Sequence, residues 1–103
     1  MDRMMDDNEL ARKIVRSFLV ELPKQVTALR SAIQAADCPK TVQLAHRLKG
    51  AAGTLGGELL QRLAAQMELA GRAGEGEKLG QFLPELEPVS RDLIQALSAF
   101  VSQ

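Results

Sequence analysis

The 103-residue chain has no tryptophan, no tyrosine and only three phenylalanines, and its apolar residues are mainly alanine and leucine. Strands favour β-branched and aromatic residues, whereas alanine and leucine favour helices. The scarcity of aromatic residues therefore argues against a sheet protein and predicts an all-α fold. The length fits one domain with one modest core.

Cysteine and histidine occur once each, as Cys38 and His46. A single cysteine excludes a disulfide within the chain, so a reducing, cytoplasmic setting is expected. One cysteine and one histidine cannot supply the four ligands of a structural zinc site. We therefore expect no metal site and no cofactor on the chain itself, and we interpret Cys38 as an inert residue at a helix end.

A surplus of charge of one sign is also missing, because 13 Lys and Arg residues balance 13 Asp and Glu residues. Nucleic-acid binding requires a basic surface, so nucleic acid is not an expected partner. The sequence contains no apolar run near the ~20 residues that cross a bilayer. The polar, acidic start of the chain is unlike a signal peptide, and no membrane contact by this chain is predicted.

Apolar residues recur at the spacing of one helix face from about residue 10 onward. Asp6 or Asp7 can cap this first helix. Pro23 either kinks the helix or begins a new one, because proline lacks a backbone N–H and fits a first helical turn. Residues 1–6 are interpreted as a tail or linker remnant, and residues 7–103 as the domain.

Three further helices are predicted over residues 39–55, 58–70 and 77–101. Two prolines predict a bend or break in the last of these near residues 83–88. Amphipathic helices joined by short loops predict an antiparallel four-helix bundle with a short additional N-terminal helix. The residues predicted to face the core include Leu10, Ile14, Leu59 and Phe100.

His46 is predicted to lie on the face of its helix that points away from the core. On the predicted helix an apolar stripe forms one face, and His46 lies roughly opposite to it, with Lys49 one turn further on. Gly50 and Gly53 lie beside His46, although each costs a helix roughly 0.5–1 kcal/mol relative to alanine. We infer that they admit close approach by a large partner; the alternative is that they allow two helices to pack tightly. The stripe comprises Leu44, Leu48, Ala51, Ala52 and Leu55.

The run from Ala45 to Gly56, AHRLKGAAGTLG, resembles the histidine-containing phosphotransfer (HPt) domain. The shared features are an Ala-His pair, an apolar residue two positions after the histidine, Lys-Gly, small residues and Leu-Gly. The segments 18–23 and 60–68 resemble the helices that flank this motif in the family. The resemblance covers about residues 8–100, and the prolines of the last helix depart from the family's usual pattern.

The resemblance implies a four-helix bundle with the histidine on an exposed helix, and reversible phosphoryl transfer in a multi-step phosphorelay. His46 would be phosphorylated, by resemblance on Nε2, since the sequence alone does not choose between the two ring nitrogens. Lys49 would stabilise charge on the phosphoryl oxygens, and Gly50 and Gly53 would give steric access. The chain would then be a phosphohistidine carrier with no autonomous kinase activity.

The resemblance also implies partners, namely the receiver domains of response regulators or of hybrid sensor kinases, which would bring the Mg²⁺ ion and the aspartate. Val42, Arg47 and Glu68 are the candidate partner contacts. Val42 lies one turn before His46 on the same face, and Val15 or Leu19 could extend an apolar patch or belong to the core.

Two of these candidates have alternative interpretations. Arg47 could contact a partner or be solvated. Glu68 lies where some relatives place an amide or acid near the histidine, so it could orient the imidazole or be a solvated surface acid. We expect a monomer, because one bundle buries its own apolar stripes.

Two other functions fit the sequence. The chain could be the substrate domain of a chemotaxis-type histidine kinase, phosphorylated by an ATP-binding domain, or a non-catalytic helical scaffold. A dimerising kinase core fits less well, because there an acidic residue normally follows the histidine, whereas here Arg47 does. The presence of His46, Lys49 and Gly50 together argues against a scaffold.

Overall fold

A computed structural model describes residues 2–102 of the chain, and the side chains of residues 8–102. Within this range the chain forms helices and no strand, which confirms the predicted all-helical fold. No described helix is both long enough and apolar enough to cross a membrane. The helices are α1 (Asp2–Gln34), α2 (Cys38–Thr54), α3 (Glu58–Arg72), α4 (Gly76–Gly80) and α5 (Leu83–Ser102).

Helix α1 is a single helix of 33 residues with Pro23 in its interior. Pro23 was predicted either to kink this helix or to begin a new one, and the continuous helix excludes the second possibility. Leu22 and Val26 are both buried, and their packing holds the chain on either side of the proline despite the missing N–H. At 1.5 Å per residue the helix is about 50 Å long, which accounts for the 53 Å length of the molecule.

The start of α1 differs from the expectation. The helix begins at Asp2 and continues through Asp6 and Asp7, so the predicted cap at either residue is wrong. No separate short helix precedes α1 within residues 2–102; the short helix of the bundle is α4. The interpretation of residues 1–6 as a tail or linker remnant stays a prediction.

The last segment is divided into two helices, as the prolines indicated. Helix α4 ends at Gly80 and α5 begins at Leu83, so the break precedes the predicted region by a few residues. Pro84 thereby lies in the first turn of α5, where a backbone N–H has no intrahelical partner. Pro88 lies inside α5.

The ends of α2 fix the position of His46 near its middle. The Asp37 carboxylate caps the helix by accepting a hydrogen bond of 3.1 Å from the Lys40 backbone N–H. Pro39 lies in the first turn, as predicted. Beyond the other end, Gly56 adopts a φ of +75°, a conformation that glycine accepts without strain.

One apolar core joins α1, α2, α3, α4 and α5, and its larger side chains include Leu22, Leu29, Leu48, Leu60, Met67, Leu79 and Leu86. Four residues predicted to face this core are exposed instead. The adjacent apolar residues take the inward positions instead, Leu60 beside Leu59 and Val101 beside Phe100, and adjacent helical residues cannot share a face. Among the described side chains of α1, burial begins at Val15, which leaves Leu10 and Ile14 exposed.

Candidate functional site

His46 projects from the middle of α2, with 67% of its side chain exposed. Ala45, Leu48, Ala51 and Ala52 on the opposite face are buried, and Leu44 and Leu55 are half-buried against the core. The predicted geometry, an apolar stripe facing inward and a histidine facing outward, is confirmed. The site is therefore built on a rigid helix.

Helix α3 runs antiparallel to α2 and supplies the second half of the site. Along the pair, Gly53 lies against Gln61, His46 against Glu68, and Val42 against Gly71. A Cβ atom on Gly71 would lie 2.8 Å from Val42 Cγ2, closer than van der Waals contact. The missing side chain at Gly71 thus lets the end of α3 approach α2 beside His46.

Glu68 lies beneath His46 and is the centre of a cluster of charged groups. Its side chain is only 7% exposed. His46 Nδ1 and Arg72 Nη2 lie 3.0 Å and 2.8 Å from the same oxygen, Glu68 Oε2. Lys49 Nζ lies 2.8 Å from the other oxygen, Oε1. One buried carboxylate therefore joins the imidazole, an ammonium and a guanidinium.

The cluster lowers the pKa of Glu68 from 4.5 to about 2. Lys49 is the largest cause, followed by Arg72 and then His46, and burial opposes them. The carboxylate is therefore ionised at neutral pH and can only accept hydrogen bonds. It follows that Nδ1 donates to Glu68, so the neutral ring carries its proton on Nδ1 and none on Nε2.

The residues expected beside His46 occupy different environments. A Cβ on Gly50 would meet no atom within 4 Å, so the helix surface there is open. A Cβ on Gly53 would lie 2.6 Å from Gln61 Nε2, the end of a flexible and exposed side chain that can move aside, so both interpretations of this glycine stay open. Lys49 is 35% exposed and directed to Glu68. The burial of Glu68 excludes the solvated-surface interpretation of that residue.

A surface groove beside the histidine is lined by Val42, Gln43, His46, Arg47 and Arg72. Val42 is half-buried because it packs on Gly71, and Arg47 is exposed. Val15 is buried and Leu19 is half-buried against the core, so Val15 does not extend an exposed apolar patch. The groove presents two guanidinium groups next to the imidazole.

Arg72 is a site residue that the sequence analysis missed. The predicted helix ended near residue 70, and the glycines at 71, 74 and 76 indicated a loop. In the structure Gly71 and Arg72 belong to α3, which places Arg72 one turn after Glu68. The Glu-to-Arg spacing of four residues is a known helix-surface pair and was the available indication. Within the described residues, no cluster of three or more His, Cys, Asp or Glu side chains could hold a metal ion.

Comparison with known proteins identifies the family of the chain. The model of the Hpt domain family matches residues 13–100. The aerobic respiration control sensor proteins ArcB of Escherichia coli (strain K12) and of Shigella flexneri are each 29% identical to the chain over 82 residues. These matches cover 80% of the chain and 10% of each relative, so the chain spans about a tenth of their length. No solved structure matches significantly. The match includes the histidine motif. The chain therefore belongs to the Hpt domain family, whose members carry out histidine phosphotransfer in phosphorelays.

Proposed function

We propose that His46 accepts a phosphoryl group from the aspartate of one receiver domain and passes it to another receiver. The observation that carries the proposal is the contact between His46 Nδ1 and the buried, ionised Glu68. It holds the ring in the tautomer whose Nε2 has a free lone pair, and most of the ring is exposed. Nε2 is thus the nucleophile of the proposed reaction.

In the proposed transfer, the Nε2 lone pair attacks the phosphorus of the receiver's aspartyl phosphate. An N–P bond forms, the P–O bond to the aspartate breaks, and its electron pair leaves with the carboxylate. The Nδ1 proton stays in its hydrogen bond with Glu68, so the phosphorylated ring carries positive charge close to the carboxylate. In the reverse step a second receiver's carboxylate attacks the phosphorus, and the N–P electron pair returns to Nε2.

Lys49 has two tasks in this proposal. In the unphosphorylated chain its ammonium pairs with Glu68 Oε1. Its partial exposure leaves it able to interact with the phosphoryl oxygens, where fixed positive charge stabilises the developing negative charge. The open surface at Gly50 admits the rim of a receiver, and Val42 and Arg47 lie beside the groove that such a partner would cover.

The test is phosphotransfer from a radiolabelled phospho-receiver to the purified chain. We expect an acid-labile, base-stable label that is absent in His46→Gln and forms more slowly in Lys49→Ala. Lys40→Ala is the matched control, because Lys40 is also on α2 and its side chain is exposed. Labelling by an ATP-dependent histidine kinase but by no phospho-receiver would instead support the kinase-substrate function. If the chain is folded but is labelled by neither route, the result would support the non-catalytic scaffold function.

A further inference from the structure

We propose that Arg72 is a positioning residue that neutralises Glu68 and thereby sets the lifetime of the phosphoryl group on His46. The inference rests on the proposed function, because it concerns the same phosphohistidine. It assigns a role to a residue on α3 that lies outside the histidine motif. The action of Arg72 runs through Glu68 rather than through the phosphorus.

The first argument is geometric. Arg72 Nη2 and His46 Nδ1 contact the same atom, Glu68 Oε2, at 2.8 Å and 3.0 Å. Lys49 occupies the other oxygen. Each oxygen of the carboxylate therefore has its own cation, and the cation on the histidine's oxygen is Arg72. Any change at Arg72 acts on the atom that holds the imidazole.

The second argument concerns charge. A phosphoryl group carries about −1.5 to −2 charges at neutral pH, and here it would be attached to a ring that contacts a buried carboxylate. Lys49 and Arg72 together bring two positive charges to that carboxylate. Without Arg72, Lys49 would have to serve both the carboxylate and the phosphoryl oxygens. Repulsion between the two anionic groups would then favour loss of the phosphoryl group.

The third argument separates this contact from an ordinary surface ion pair. Arg62 and Glu58 have the same spacing on the same helix, but their charged atoms are 4.0 Å apart and both side chains are largely exposed. Glu68 is buried, and the carboxylate that Arg72 contacts is shared with the histidine. Buried carboxylates require such partners, whereas exposed pairs contribute little. Arg62 is therefore a matched control for Arg72.

The experiment loads His46 with phosphoramidate, a small phosphoryl donor that needs no receiver, and follows the phosphohistidine by ³¹P NMR. We expect Arg72→Ala to shorten its half-life about threefold to tenfold, the range for losing one charge-assisted contact. Arg72→Lys should restore part of the lifetime, and Arg62→Ala should match the wild type. His46→Gln controls for loading at other sites.

A double substitution tests the route through Glu68. In a Glu68→Gln background the carboxylate is gone, so adding Arg72→Ala should change the half-life little. An undiminished effect of Arg72→Ala in that background would show direct action on the phosphoryl group and overturn the proposal. Equal half-lives of wild type and Arg72→Ala would overturn it as well.

A second readout needs no phosphorylation. A ¹³C NMR titration of the Glu68 carboxyl group should show a higher pKa in Arg72→Ala than in the wild type, and no change in Arg62→Ala. An unchanged pKa in Arg72→Ala would contradict the proposed neutralisation. If phosphoramidate loads His46 but no receiver does, the relay function fails while the role of Arg72 is still tested.

Discussion

At the scale of the residue, the three charged neighbours of Glu68 determine which side chains can replace it. An amide could also accept a hydrogen bond from His46 Nδ1, but with its oxygen in the place of Oε2 its NH₂ group would face Lys49, which is a donor only. The carboxylate instead accepts hydrogen bonds from His46 and Arg72 on Oε2 and forms an ion pair with Lys49 through Oε1. Glu68→Gln is therefore a disruptive substitution in this chain, although the two side chains have the same shape.

The depressed pKa of Glu68 predicts a loss of stability in acid. Because the pKa is about 2 in the folded chain and 4.5 ordinarily, the unfolded chain binds the proton first. The stabilisation is complete above about pH 4.5 and is lost as the pH falls toward 2. We expect it to reach about 2 kcal/mol after allowance for partly exposed partners.

This loss can be measured by urea unfolding of wild type and Glu68→Gln at several pH values between 2 and 6. The wild-type free energy of unfolding should fall more steeply with acid than that of the variant. Glu58→Gln is the control, since Glu58 is exposed on the same helix. Parallel pH profiles for wild type and Glu68→Gln would contradict the prediction.

At the scale of the element, the pairing of α2 with α3 determines which glycines can be replaced. Gly71 faces Val42 and the Cys38 carbonyl oxygen, whereas Gly50 faces open space. Both are helical residues without positive φ, so both lose helix propensity relative to alanine. Only packing distinguishes them.

Gly71→Ala should destabilise the fold by about 1–3 kcal/mol, because the β-branched Val42 cannot move aside without shifting α2. Gly50→Ala should instead stabilise it by about 0.5–1 kcal/mol through helix propensity. Thermal unfolding of both variants gives the comparison. If Gly50 also provides access for a receiver, Gly50→Ala will transfer phosphate more slowly despite its higher stability. Equal stabilities would contradict the packing argument.

At the scale of the whole molecule, none of the described residues of α5 supplies a side chain to the His46 cluster. The cluster is built from α2 and α3, while α5 packs mainly along α1, less extensively on α3, and contributes core residues such as Leu86. Changes in α5 should therefore act on stability rather than on the reaction.

Leu86→Ala should lower the free energy of unfolding by about 2–5 kcal/mol, because it leaves a cavity at a fully buried position. At a temperature where the variant is still folded, its rate of phosphotransfer from a receiver should stay near that of the wild type. Circular dichroism and the radiolabel assay measure the two effects. A folded variant with a much lower rate would show coupling between α5 and the site.

The convergence of the apolar faces on one core also predicts a monomer. Sedimentation velocity over a wide concentration range should give the mass of one chain. The exposed Leu10 and Ile14 on α1 are the residues to replace with serine if a dimer is found. A tight dimer would contradict the prediction, and the two substitutions would then show whether these residues form its interface.

The sequence by itself determined the helices, the inward stripe of α2 and the exposure of His46, because helical periodicity is a local property. The sequence also indicated the family, through the spacing of His46, Lys49 and Gly50. It failed at Leu59 and Phe100, because in each case the adjacent apolar residue, Leu60 or Val101, takes the inward position. At Arg72 it failed because glycines indicated a loop where α3 continues.

Only the tertiary structure decided which ring nitrogen of His46 is engaged, that Glu68 is buried beneath it, and that Gly53 faces Gln61. These facts involve residues far apart in sequence, as with His46 and Glu68, which are separated by 22 positions. Periodicity places each side chain on a face of its own helix, but the antiparallel register of α2 and α3 decides which faces meet. The close approach of Gly71 to Val42 and the shared apolar core belong to that register, which places Glu68 beneath His46.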